Sequence, residues 1–268
     1  MKHLIVCWAA LLILFTSAAA QTTPAVPDCA AARAQITSLE AKLKDWPALG
    51  RYREANAKVA PRARDERRVV FMGDSITDNW NKPAFGGFFP ARPYLDRGIS
   101  GQTTPQMLLR FPADVIGLNP QVVVILAGTN DLAGNTGPTT LKAIEDNLAA
   151  MADLAKSKHI RVVLASVLPV NDYQSRDGKP IVRTAQRPPD QIRELNEWIK
   201  RFTRENKLTY LHYYSAMIDE KGFLRSELSD EGLHPNKAGY AVMSPLAEAA
   251  IDAALRDSFE APGRLPWK

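Results

Sequence analysis

The sequence predicts a three-layer α/β/α fold around a five-stranded parallel sheet. Two observations carry this. Apolar, strand-like runs alternate with helical patterns along the chain, the order that builds a parallel sheet covered by helices on both faces. The run Val122-Val123-Val124-Ile125-Leu126 is apolar without alternation, as a strand buried on both faces requires.

The elements follow in order. Residues 1–20 read as an export signal: Lys2 and His3 form a basic start, 4–15 an apolar core, and Ala18-Ala19-Ala20 a small-residue cleavage site. The apolar stretch is shorter than the roughly 20 residues that span a bilayer, so no stable membrane insertion is expected after cleavage. Residues 21–67 form a leader, with helical spacing at Ile36, Leu39 and Leu43, then Trp46-Pro47 and a weaker helical stretch. It is expected to pack on the outside of the domain. The domain itself is placed at 68–258 and a tail at 259–268. Strands are expected at 69–72, 94–99, 122–127, 162–168 and 208–213, and helices near 105–118, 139–158, 190–206 and 236–255.

Composition excludes several function classes. Losing Lys2 with the signal takes Lys+Arg from 34 to 33 against 29 Asp+Glu, a formal charge of about +4. That small excess is not clustered into the basic stripe that nucleic acid requires, so no nucleic-acid partner is expected. Cys7 lies in the signal and Cys29 has no partner in the mature chain. No His-Glu-x-x-His or cysteine spacing suggests a metal, and no cofactor is expected. The oligomeric state is left open.

In parallel sheets ligands bind at the carboxyl ends of the strands. The turns there are polar and glycine-rich: Gly73-Asp74-Ser75 after the first run, Gly98-Ile99-Ser100-Gly101-Gln102-Thr103 after the second, Gly128-Thr129-Asn130-Asp131 after the third and Pro169-Val170-Asn171-Asp172 after the fourth. Ser75 stands where a helix begins, so free N–H groups and the helix terminus favour negative charge beside it. A general base near neutral pH is most often histidine. His159 lies at a helix end and His212 in a strand, where structural roles are expected. His234 occupies the turn-rich Asp230-Glu231-Gly232-Leu233-His234-Pro235-Asn236 before the last helix.

Together these segments resemble the SGNH (GDSL-type) hydrolase family. The first block is Gly73-Asp74-Ser75-Ile76-Thr77, the second carries Gly101, the third is Gly128-Thr129-Asn130-Asp131, and the last is Gly232-Leu233-His234-Pro235-Asn236. The blocks span residues 69–255 in order. The resemblance implies a flavodoxin-like SGNH hydrolase fold and a serine esterase. Ser75 would attack the ester carbonyl and His234 would carry its proton. The N–H groups of Ser75 and Gly101 and the Asn130 side-chain amide would form the oxyanion hole. Asp74 and Asp131 are expected to hold their loops by accepting backbone N–H bonds.

One position departs from the family. Three residues before the histidine, where aspartate usually orients the ring, stands Glu231, with Asp230 one residue earlier. Glu231 is the expected orienting acid. The alternatives are Asp230 through a shifted turn, a backbone carbonyl, or two carboxylates that merely face solvent. Two long loops flank the expected crevice. Residues 81–93 carry Phe85, Phe88 and Phe89; residues 171–189 carry Tyr173, Arg176, Lys179, Arg183 and Arg187. The first suits an apolar wall and the second a cationic rim, and both suit packing and solvated charge equally well. Trp80 is open to either pocket lining or core. No long apolar lid is present, so a small, water-soluble ester with a short acyl chain, acetyl above all, is the expected substrate of an exported enzyme. A carbohydrate O-acetylesterase is the next reading, then a thioesterase or lysophospholipase. A non-enzymatic binding module is disfavoured, because it would need none of the four site residues.

Overall fold

The structure, a computed structural model, describes residues 29–256; the expected signal and tail lie outside them. The chain divides into two compact units, with the boundary between Leu43 and Lys44. The described part of the first, residues 29–43, lies in helix α1 (Cys29–Lys44). The second unit starts earlier than position 68, because residues from 44 on are tied into its framework. Gln102 donates to the Pro47 carbonyl at 2.8 Å, Tyr52 donates to the Gly98 carbonyl, and Asn56 donates to Asp114 at 2.7 Å. The short helix α2 (Arg53–Ala57) belongs to this segment.

The sheet order is β2-β1-β3-β4-β7, all parallel, with β1 (Val69–Gly73), β2 (Tyr94–Gly98), β3 (Val122–Leu126), β4 (Arg161–Ala165) and β7 (Thr209–Leu211). β5 (Ser175–Arg176) and β6 (Lys179–Pro180) form a separate antiparallel pair. Side chains alternate across a strand, and here the alternation separates two cores. Val70, Met72, Val123 and Ile125 face Met107 and Phe111 of α4 (Thr104–Asp114), Leu148 and Met151 of α6 (Leu141–Ser157), and Leu195 and Ile199 of α7 (Pro189–Glu205). Phe71, Val122 and Val124 face Ile76 and Trp80 of α3 (Ser75–Trp80), Tyr213 and Met217 of α8 (Tyr213–Met217), and Tyr240 and Met243 of α9 (Lys237–Arg256). The three layers expected from the sequence are therefore present. A one-turn helix, α5 (Thr129–Leu132), follows β3.

Differences from the expected strands have local causes. β4 stops at Ala165 instead of continuing to 168. Beyond it, the Val167 N–H and carbonyl are both taken by the Asn196 side-chain amide, at 2.7 and 2.9 Å, so the chain leaves the ladder while its backbone stays paired. α4 ends at Asp114, two residues after Pro112, which has no N–H to contribute to the helix. His212 is exposed at the start of α8, outside β7. Trp80 and Phe89 are buried in an aromatic cluster with Phe71, Phe88 and Tyr240, so Trp80 is core and not pocket lining.

Candidate active site

The ends of β1, β2 and β3 each deliver one component, and the turn before α9 delivers the histidine and its carboxylate. β1 runs directly into α3, with Asp74 as its N-cap: Asp74 Oδ1 accepts the Ile76 N–H at 2.9 Å. The first N–H groups of a helix have no intrahelical acceptor. With Ile76 satisfied by the cap, the Ser75 N–H remains for another acceptor. Ser75 Oγ lies 2.8 Å from His234 Nε2. His234 Nδ1 lies 2.8 Å from Glu231 Oε1, and the His234 backbone N–H donates to the same oxygen at 2.5 Å. The Glu231 side chain folds back over its own turn, and its extra methylene is accommodated there. Asp230 is exposed and accepts from Asn236 Nδ2 at 2.9 Å, away from the ring.

The turn is fixed by Gly232, at φ +82°. A Cβ there would stand 2.3 Å from the Asn171 carbonyl oxygen, so only glycine lets the two loops meet. Across that approach the Asn171 N–H donates to the Gly232 carbonyl at 3.0 Å. The loop after β4 also supplies Arg183, whose Nη2 binds Glu231 Oε2 and whose Nε donates to the Glu231 carbonyl at 3.0 Å. Burial would raise the Glu231 carboxyl, but hydrogen bonds from the His234 ring and backbone outweigh it. With the charges of His234 and Arg183 they hold it down at about 2. Glu231 is thus a carboxylate at any working pH.

Gly101, at φ +82°, turns the β2–α4 loop beside the crevice; its carbonyl accepts from Asn135 Nδ2 at 3.0 Å. Asp78, one turn along α3, accepts from the Ser100 hydroxyl at 2.6 Å and so ties this loop to the serine helix. Asn130 is buried in α5. Its Nδ2 donates to the Gln102 carbonyl at 3.0 Å, and its Oδ1 accepts from Arg187 at 3.3 Å. An amide nitrogen carries two hydrogens, so one donor remains. Asp131 accepts from the Thr104 N–H at 3.0 Å and from its hydroxyl at 2.6 Å, locking the Asn130 loop onto α4. Among the described residues, no cluster of His, Cys, Asp or Glu could hold a metal ion.

A half-buried serine hydroxyl on an imidazole and the imidazole on a carboxylate, with the Ser75 N–H at the start of α3, is a constellation for nucleophilic attack on a carbonyl. The profile of the GDSL-like lipase/acylhydrolase family matches residues 71–242, the stretch that holds all five residues. The chain belongs to that family. It is an ester hydrolase of the serine type. Among solved structures it is similar to a candidate acylhydrolase from Bacteroides fragilis, at 38% identity and a TM-score of 0.73, covering 79% of this chain and 99% of that one. It is also similar to a GDSL-like lipase from Bacteroides thetaiotaomicron, at 41% identity and a TM-score of 0.70, covering 78% of this chain and 98% of that one. A Bacillus subtilis protein named uncharacterized lipoprotein YqeF is 34% identical over 79 residues, 28% of this chain. That match spans about a third of the relative, 32% of its length.

The sequence located Arg183 and Arg187 only as loop cations. Their targets, Glu231 and the Asn130 amide, lie 48 and 57 residues away. Asp74 adds an electrostatic feature. Burial raises its carboxyl to about 6, against the Ile76 N–H and the charge of His234, and its Oδ2 has no partner. Because the folded pKa lies above the unfolded one, the folded state keeps a proton that the unfolded chain releases. Stability therefore falls as pH rises from about 4 to about 6 and stays lower above that window. Asparagine in place of Asp74 would keep the cap without the buried charge. Asp74→Asn is expected to melt a few degrees higher than wild type at pH 7, a gain of about 1–2 kcal/mol, and to show no gain at pH 3.5. Thermal melts at both pH values check this, and equal melting at pH 7 would remove the cost assigned to the charge.

Proposed function

We propose that this chain is an exported esterase that hydrolyses short-chain carboxylic esters, acetyl esters above all, through an acyl-enzyme on Ser75. The observation that carries the reading is the chain of contacts Ser75 Oγ to His234 Nε2 to Glu231, at 2.8 Å in each step. In the first half-reaction, Oγ bonds to the ester carbonyl carbon as its proton passes to Nε2. The carbonyl oxygen becomes an oxyanion received by the Ser75 and Gly101 N–H groups and the free Asn130 Nδ2 hydrogen. Glu231 stabilises the imidazolium that forms. Collapse breaks the bond to the alcohol, which leaves with the proton from Nε2. Water then repeats the sequence on the acyl-enzyme, releasing the acid and restoring Ser75.

Two features support a short acyl chain. Of the phenylalanines in residues 81–93, Phe89 is buried and Phe85 and Phe88 are half-buried against Trp80 and Tyr240, so much of that loop's apolar surface is taken up by packing. The rim around Gly101 is polar, with Ser100 and Asn135 exposed. Export is supported by the signal pattern at 1–20 and by the name lipoprotein given to the Bacillus relative. A second reading, a carbohydrate O-acetylesterase, is favoured by one observation. A cavity of about 350 Å³ beside the Asn130 loop, with apolar lining from Leu132, Leu141 and Ile144, also carries Thr139, Thr140, Gln186 and Gln191, whose hydroxyl and amide groups suit sugar hydroxyls. A panel of aryl acetates and longer aryl esters, acetylated sugars and phospholipids in one assay separates the readings. Acetyl esters are expected to be turned over at least about tenfold faster than octanoyl esters. Preference for phospholipid or long acyl chains would overturn the proposal.

A further inference from the structure

We propose that Arg187 is a positioning residue of the esterase centre: it holds the Asn130 amide with its donor end free for the oxyanion and places behind that amide a positive charge that no carboxylate contacts. The inference rests on the serine-esterase reading and concerns how its oxyanion hole is set.

A side-chain amide fits its site either way up, and only its neighbours decide which end is the donor. For an oxyanion the choice is decisive, because a reversed Asn130 would present an oxygen lone pair to a developing negative charge. Two neighbours fix it. The Gln102 carbonyl, 3.0 Å away, can only accept, and selects Nδ2. The Arg187 guanidinium, 3.3 Å from the other end, can only donate, and selects Oδ1. Reversal would oppose two acceptors on one side and two donors on the other.

The guanidinium is unusual in what surrounds it. Arg187 is only 5% exposed, yet its acceptors are all neutral: Thr129 Oγ1 at 3.1 Å, Gln186 Oε1 at 3.4 Å and Asn130 Oδ1. Among the described residues it forms no ion pair with a carboxylate, whereas Arg110, fully buried, has Asp114 at 3.1 Å. A buried cation with no carboxylate in contact is costly: Asp74 and Glu231 act on Arg187 only across space, and the charge of Arg183 opposes them. A scaffold role alone would be served by a neutral donor. What the charge adds is a field along the Asn130 amide that makes its Nδ2 hydrogens stronger donors, an effect that grows as the oxyanion forms. Its placement is firm. The Arg187 N–H donates to the Arg183 carbonyl at 3.0 Å in a turn that Asp172 anchors through the Thr184 N–H, also at 3.0 Å. Lysine carries its three donors on one nitrogen and cannot reproduce the planar fork whose Nε meets Thr129 and whose Nη2 meets Asn130.

The test is a double-mutant cycle on an aryl acetate, preceded by wild type against Ser75→Ala. Absence of Ser75-dependent hydrolysis would sink the esterase reading itself. Once that dependence is measured, the cycle addresses Arg187 alone. Arg187→Met is expected to lower kcat by about 30-fold or more with KM within about threefold, and Arg187→Lys to recover only part of the loss. In an Asn130→Ala background, Arg187→Met is expected to cost less than about threefold, because the amide it acts on is gone. Equal losses in both backgrounds, a change confined to KM, or unchanged kcat would each overturn the proposal. Should Arg187→Met fail to fold, Arg187→Lys is run through the same cycle: a kcat loss at least about threefold smaller in the Asn130→Ala background supports the proposal, and additive losses overturn it.

Discussion

Ser75→Ala is expected to lower kcat on a short-chain aryl ester by about 10⁴-fold or more while leaving the fold intact. The size follows from the chemistry. Removing Oγ removes the nucleophile, and His234 Nε2 loses the hydroxyl from which it would take a proton at 2.8 Å. Any residual rate comes from water attacking a substrate polarised by the remaining donors, which in serine hydrolases supplies about 10³–10⁴ over water. The fold has little to lose. Ser75 opens α3, but the cap is Asp74, whose bond to the Ile76 N–H does not involve the hydroxyl. Alanine is also the best helix former. Steady-state kinetics with a thermal melt of the same sample check both halves, and undiminished activity in a folded Ser75→Ala protein would remove the nucleophile assignment. His234→Ala is expected to lose a similar factor, because nucleophile and base act as one unit.

The strands and long helices were legible because their signals are local. Val122 to Leu126 reads as a doubly buried strand in isolation and is one, and the helical patterns of α6, α7 and α9 lie within a few residues of the observed ends. What blurred was set by tertiary contact. The early end of β4 depends on Asn196, about 30 residues on. The unit boundary depends on Tyr52 reaching Gly98 and Asn56 reaching Asp114, bonds that no periodicity announces. For the same reason the aromatic residues after Ser75 were undecided between pocket and core until their partners were visible.

Site residues split along a similar line. Ser75, Gly101, Asn130 and His234 stand at strand ends or in a glycine-rich turn, and their order along the chain could be read directly. Arg183 and Arg187 could be seen as cations but not assigned, since both act across a loop that returns to the crevice. Asn171 to Gly232 is the hinge of that return. Its close backbone approach is written only in one glycine, and a lone glycine in sequence has many other uses.

The acid is where geometry and sequence pattern bear on one choice, and it carries the second large effect. Glu231→Gln is expected to lower kcat by about 10²–10⁴-fold, with Asp230→Asn within about threefold of wild type. Glutamine keeps the shape but not the acceptor pattern. Oε1 takes the ring Nδ1 and the His234 N–H, and Oε2 takes Arg183, so all the neighbours are donors. An NH₂ group must then face either Arg183 or the ring, and the imidazolium formed during turnover loses its counter-charge. Asp230 touches Asn236 at the surface, so its loss disturbs neither. The pH dependence follows from the sign of the shift. Glu231 is held at about 2, below its ordinary 4.5, so its contribution to stability is present above pH 4.5 and is lost as pH falls through about 2. Wild type and Glu231→Gln should therefore differ in melting temperature near pH 7 and converge towards pH 2. A crippled Asp230→Asn beside a near-normal Glu231→Gln would transfer the role to Asp230. A melting difference that persists unchanged at pH 2 would show that the carboxylate charge is not its source.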